Sequence, residues 1–188
     1  LAYFITLTDL NAGVRQALFI DALTGHVLDQ WSLNEALLDR EVYDGQQGGA
    51  IPGLMSREEG DPAAIDIEVN RAYDWTGDFY DFFMRAYGRD SIDNAGMTLR
   101  ATVNSRSTGC PNAYWNGMQA VYCTGVVTDD IVAHELCHGI IGATAKLIYQ
   151  NQSGMLNEHF ADVFGELVDL FNGDASEPGT PGSGPGPF

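Results

Sequence analysis

Two histidines four residues apart, in His134-Glu135-Leu136-Cys137-His138, lie one helical turn from each other if the segment is helical, and so project from one face. A pair of imidazoles so placed can bind one tetrahedral zinc ion. Glu135 cannot easily reach the same ion, but it stands beside the open coordination position, where it can take a proton from water. A catalytic zinc usually has three protein ligands, so a third must arrive from another segment. Glu158 is the candidate, in Asn157-Glu158-His159-Phe160-Ala161-Asp162, with nineteen residues between it and His138. Asp162 falls four residues later on the same helical side. Metal-bound imidazoles need an acceptor on their other nitrogen, so Glu158 and Asp162 read as ligand and orienter. Cys137 reads as a buried small apolar group and His159 as a surface residue.

Helices must carry these groups. Thr128 suits an N-cap, with Asp129 and Asp130 placed favourably against the helix dipole and Ile131, Val132, Leu136, Ile140 and Ile141 as the apolar set. A last helix is expected from about Met155 to Phe171, with Leu156, Phe160, Val163, Phe164, Leu167, Val168 and Phe171 as its core stripe and Asn172-Gly173 as its stop. Upstream, Pro62 opens a long amphipathic helix through Ile65, Val69, Ala72, Thr76, Phe79, Phe83 and Ala86 to Gly88. Thr98 to Val103 alternates like a half-buried strand. Asn116-Gly117 predicts a two-residue hairpin turn. Facing residues then have numbers that add to 233, as Cys110 and Cys123 do. Such a non-hydrogen-bonded pair sits roughly 4.5 Å apart at Cα, within disulfide range; two free thiols are the alternative.

Residues 1 to about 33 read as a β unit, with strand-like Leu1–Leu7 and Ala17–Ile20 leading through Asp21, Thr24 and Gly25 into His26–Trp31. From Leu33 to Asp61 the chain is polar and turn-rich, with Gly45, Gly48, Gly49, Pro52, Gly53 and Gly60, and reads as a linker holding a domain boundary. Asp174 to Phe188, mostly Gly, Pro and Ser, reads as a disordered tail. With 26 acidic against 9 basic residues the net charge is −17. That field repels phosphate backbones and anionic headgroups, so no nucleic acid and no membrane is expected as a partner. No run of about 20 apolar residues is present. A disulfide would suit an exported protein. The first residue, Leu1, opens directly into strand-like sequence, as in a piece of a longer precursor.

Several motifs in order resemble the thermolysin family of zinc metalloendopeptidases: Asn112-Ala113-Tyr114-Trp115-Asn116-Gly117, the His134–His138 stretch, Tyr149-Gln150-Asn151 and Gly154-Met155-Leu156-Asn157-Glu158. The likeness runs from about Ile65 to Phe171. It implies an α+β fold, a β-rich lobe packed on two active-site helices, and hydrolysis of internal peptide bonds in protein or peptide substrates. It further implies Glu158 as third zinc ligand and Asp162 and Asn157 as supports of the two histidines. Asn112 and Ala113, with Trp115 beside them, would hold substrate backbone on an edge strand. Tyr149 would stabilise the tetrahedral intermediate, with Glu135 as general base. Asp130 and Asp169 align with carboxylates that hold calcium in the family, although Asp174 and Glu177 do not supply the remaining ligands.

Phe19-Ile20-Asp21-Ala22 with Thr24-Gly25 and Val27-Leu28 resembles the end of the family's propeptide. The implied domains are 1–48, propeptide end and linker; 49–172, the catalytic subdomain with the zinc site; and 173–188, the tail. The family's following helical domain, with its own catalytic histidine, is expected to be missing. A non-catalytic binding or inhibitory module with structural zinc is the reading from another class. Gluzincin aminopeptidases place more residues between the second histidine and the third ligand.

Overall fold

The computed structural model describes residues 2–9, 14–32, 38–107 and 109–173, in two compact units that divide between Leu37 and Leu38. In the first, β1 (Ala2–Asp9), β2 (Val14–Asp21) and β3 (Val27–Ser32) form an antiparallel sheet in the order β1-β2-β3. Phe4 lies opposite Phe19, their ring centroids 5.4 Å apart. The turn into β3 is built by Asp21, whose carboxylate accepts the N–H groups of Leu23 (2.8 Å) and Thr24 (2.7 Å). These bonds stabilise the charged form and hold Asp21 below its ordinary value, the Thr24 bond most.

In the second unit, β4 (Arg40–Asp44), β5 (Leu54–Glu58), β6 (Leu99–Val103), β7 (Ala113–Trp115) and β8 (Ala120–Tyr122) form one sheet in the order β5-β4-β6-β8-β7. The three inner strands are parallel, and the edge strands β5 and β7 are antiparallel to their neighbours. Three helices complete the unit: α1 (Ile67–Tyr87), α2 (Asp129–Ala143) and α3 (Asn151–Asn172). The fold is α+β, as the sequence likeness implies. The stretch read as a linker contains β4 and β5. Its glycines permit close crossings: a Cβ on Gly53, at φ +94°, would lie 2.4 Å from the Asp44 carbonyl oxygen.

Helix α1 starts later than Pro62 suggests, because Asp66 caps it by accepting the Glu68 N–H, and it ends at Gly88 in the left-handed region. Val69, Ala72, Thr76, Phe79 and Phe83 are buried, while Ile65 is fully exposed. Strand β6 buries Leu99, Ala101 and Val103 on one face and Thr102 on the other, where Arg100 stays partly exposed; Thr102 satisfies its hydroxyl on the Pro52 carbonyl (2.8 Å).

The hairpin between β7 and β8 differs from the two-residue expectation. Asn116 Oδ1 accepts the N–H groups of both Met118 and Gln119 (2.9 Å each), and the Asn116 N–H donates to the Gln119 carbonyl, which closes a four-residue loop. Ala113 therefore faces Tyr122, two places from the expected register. The disulfide between Cys110 and Cys123 is present, with Cα atoms 5.8 Å apart. It lies just outside the ladder, where the chain turns away after Asn112 accepts the Cys123 N–H (2.9 Å).

Helix α3 corrects the expected core stripe. It starts at Asn151, a turn before Met155, and buries a row of mostly small residues, Gly154, Asn157, Ala161, Gly165 and Val168. Leu156, Phe160, Val163 and Leu167 are each about 40% exposed or more. Phe164 and Phe171 instead meet Phe82 of α1, at ring-centroid distances of 6.5 and 5.5 Å. The reason is a close crossing: a Cβ on Gly165 would lie 2.8 Å from the Asp130 carbonyl oxygen, so only small side chains fit between α2 and α3. The tail from Asp174 onward, and with it Glu177, lies outside the described residues.

Candidate metal centre

The crossing of α2 and α3 sets the spacing of the histidine pair and Glu158. His134 and His138 project from α2, their Nε2 atoms 3.1 Å apart. Glu158 on α3 places Oε2 3.3 Å from His134 Nε2 and Oε1 3.7 Å from His138 Nε2. Among the described residues these three form the one group of His, Cys, Asp or Glu whose donor atoms all lie within 4.8 Å of one another. Cys137, inside α2, is buried away from it, and burial pushes its thiol well above the ordinary value. His159 is exposed and outside the group.

The other nitrogen of each imidazole is occupied. His134 Nδ1 is 3.0 Å from Asp162 Oδ1, and His138 Nδ1 is 2.7 Å from Asn157 Oδ1. Asn157 donates its amide nitrogen to the Leu147 carbonyl (3.3 Å), which leaves its oxygen for the imidazole. Both Nδ1 atoms thus face oxygen acceptors and carry the protons, so two Nε2 lone pairs converge with a carboxylate. Lone pairs at 3.1 Å repel unless a cation lies among them.

Glu135 is buried to 6% exposure on the same helix. Burial, reinforced by the nearby Glu158 charge, pushes its carboxyl up to about 7, against the opposing effect of a hydrogen bond from the Trp115 N–H. Trp115 therefore turns its backbone donor towards Glu135, a contact that no spacing in the sequence announces. Tyr149 donates its hydroxyl to Glu158 Oε1, and that bond raises the phenol to about 12. A cleft of about 560 Å³ separates Asn112 and strand β7 from His134, Glu135, His138, Tyr149 and Glu158. Ala113 is half-buried on its wall.

The calcium candidates are arranged differently. Asp130 accepts the Thr128 hydroxyl, so Thr128 sits at the N-cap position without bonding a backbone N–H. Asp169 meets Asp129 rather than Asp130: burial, then the hydrogen bond with Asp129, pushes Asp169 up to about 7. Asp129 is buried and also accepts from the Asn172 amide (3.3 Å), which reaches Asp78 as well (3.2 Å).

Comparison with known proteins now adds a decisive observation. The thermolysin metallopeptidase catalytic domain profile matches residues 40–142, more than half of the chain. The chain belongs to the thermolysin metallopeptidase family. The family's alpha-helical domain matches residues 145–179. The expectation that this domain is missing is thereby corrected, since its first part, with Glu158, is present. An extracellular metalloprotease of Pectobacterium carotovorum subsp. carotovorum is 41% identical over 142 residues, covering 71% of this chain and 41% of that protein. Protease PrtS of Photorhabdus sp. (strain Az29) is 42% identical over 139 residues, covering 70% and 37%. Among solved structures, the precursor of protealysin, a metalloproteinase from Serratia proteamaculans, matches with a TM-score of 0.68 at 39% identity, over 72% of this chain and 44% of that one. This thermolysin-family chain thus spans about two fifths of the length of the curated relatives it matches.

Proposed function

We propose that this chain carries the metal-binding and peptide-binding part of a zinc metalloendopeptidase that hydrolyses internal peptide bonds of proteins. One observation carries the reading: two Nε2 lone pairs and a carboxylate converge while each Nδ1 is held by its own oxygen acceptor. The donor set of two imidazoles and one carboxylate suits zinc and leaves one tetrahedral position for water or substrate. Zinc held there would act as a Lewis acid on that water and on the scissile carbonyl.

The chain's own groups do the rest. Glu135, with its carboxyl raised towards neutrality, takes the proton of the attacking water and returns it to the leaving amine. The Trp115 N–H holds the carboxylate in place for both transfers. Tyr149 exchanges its bond with Glu158 for one to the oxyanion as negative charge grows there. Asn112 and Ala113 hold the substrate backbone along the edge of β7, beside which no further strand lies among the described residues. Asp162 and Asn157 keep the ligands turned inward.

Within residues 1–48, the expected propeptide end and linker, residues 1–37 form a separate unit, which fits the end of a propeptide, and the similar solved structure is of a precursor. Processing would then fall between this unit and the catalytic part. Export agrees with the disulfide and with the name of the Pectobacterium relative. No helix among the described residues is long and apolar enough to cross a membrane. Calcium has weaker support than zinc, since Asp169 shares a hydrogen bond with Asp129 and the donor group above is the one that converges.

The test is hydrolysis of casein by the zinc-loaded chain, with and without a zinc chelator, beside Glu135→Gln. Turnover that the chelator abolishes, and that Glu135→Gln lowers by about 10²-fold or more while keeping zinc, supports the peptidase. Tight association with a related peptidase without turnover supports instead a binding or inhibitory module.

A further inference from the structure

We propose that the Cys110–Cys123 disulfide positions the substrate-backbone strand, so that the site binds peptides well only while this bond is oxidised; the inference rests on reading β7 as the strand that holds substrate. Strand β7 is three residues long and, among the described residues, is the sheet's edge and pairs with β8 only. The hairpin loop 116–119 closes one of its ends. At the other, one further bond, Cys123 N–H to Asn112 carbonyl, extends the ladder before the chain runs out to exposed Gly109, Cys110 and Pro111.

The disulfide joins that exposed stretch to Cys123, which is 3% exposed at the end of the buried strand β8. It thereby fixes the chain two residues before Asn112. Asn112 and Ala113 wall the clefts on either side of His134 and Glu135. Ser107 adds a hydroxyl bond to Tyr114 (2.7 Å). The metal donors stand on α2 and α3, which the disulfide does not touch. Breaking the bond therefore frees the substrate strand and leaves the donor group together. A peptidase so built binds substrate weakly in a thiol-reducing compartment and fully in an oxidising one.

A trialkylphosphine performs the step cleanly: the Sγ–Sγ bond takes two electrons and two protons and becomes two thiols, while the phosphine becomes its oxide with oxygen from water. The zinc-loaded full chain is compared before and after phosphine treatment, together with the double variant Cys110→Ser, Cys123→Ala. Amide hydrogen exchange, peptide KM and kcat, and zinc affinity by chelator competition are measured. Exchange across 111–117 rises at least about tenfold and KM rises about tenfold, while kcat, zinc affinity and exchange in α2 and α3 stay within about twofold. Unchanged exchange at 111–117 and unchanged KM on reduction would overturn the proposal. So would loss of protection throughout α2 and α3, which would make the disulfide a brace of the whole unit. Faster exchange at 111–117 with no peptide bound by either form overturns the reading of β7 itself, and this inference with it.

Discussion

Gly165→Ala sets two effects of opposite sign against each other at the helix crossing that spaces the metal ligands. Alanine in the middle of α3 gains about 1 kcal/mol of helix propensity over glycine. Its Cβ, however, would lie 2.8 Å from the Asp130 carbonyl oxygen and 3.5 Å from His134 Cβ. The first contact is about 0.6 Å inside an ordinary 3.4 Å approach, and its partner is backbone, so the helices must part. Overpacking of this kind costs about 1–3 kcal/mol, leaving a net loss of about 0–2 kcal/mol. Because Glu158 rides on α3 and His134 on α2, parting also lengthens the 3.3 Å approach of their donor atoms, so zinc affinity should fall about tenfold. Gly142→Ala on α2 is the control, since nothing lies within 4 Å of its Cβ and propensity acts alone. Urea unfolding of the metal-free forms and chelator competition read the two quantities. If Gly165→Ala is as stable as Gly142→Ala and binds zinc like the wild type, the close crossing does not set the ligand spacing.

Further outcomes follow from the same geometry. Asn157→Ala and Asp162→Ala each lower zinc affinity by about 10–100-fold in chelator competition, with Asn157, the more buried, at the larger end. Val168→Ala costs about 2 kcal/mol in urea unfolding, whereas Leu167→Gln, half out of the core, costs under about 1 kcal/mol; equal costs would contradict the facing of α3. The Asp169 carboxyl is raised to about 7 in the folded state, above its unfolded value near 4, so the native chain binds the extra proton between those values. Stability of the metal-free protein therefore falls as pH rises from about 4 through 7, and Asp169→Asn flattens that slope in urea midpoints taken between pH 5 and 8.

The histidine pair and the place of Asp162 beside His134 were legible because a helix converts a spacing of four into adjacency, and the chemistry of zinc demands a third ligand and supporting acceptors. What the residues alone withheld were contacts made by the backbone. The Trp115 N–H on Glu135 and the Leu147 carbonyl on Asn157 depend on where two chain segments cross, and the main chain is the same at every position. Tyr149 was legible from the family likeness, but its bond to Glu158 was not. The disulfide was foreseen for a reason the hairpin does not obey. Asn116 signals a turn in either case, yet its side chain accepts two N–H groups and draws two more residues into the loop, which moves the register while leaving both cysteines within reach.

Helix α3 exposes a different limit of periodicity. Leu156, Phe160, Val163, Leu167 and Leu170 recur at steps of four and three, the pattern of a buried stripe, and all remain about 40% exposed or more. The buried face is written in Gly154, Ala161, Gly165 and Val168, which hydrophobic pattern ranks low because two of them have no side chain, and Gly165 is where it meets α2. Large apolar side chains there would hold the helix axes apart and carry Glu158 out of reach of His134. A metal centre shared by two helices thus needs the smallest residues where the ordinary rule for a core asks for the largest. Glycine at 165, seven residues after Glu158, is therefore as much a part of the ligand geometry as the carboxylate it positions.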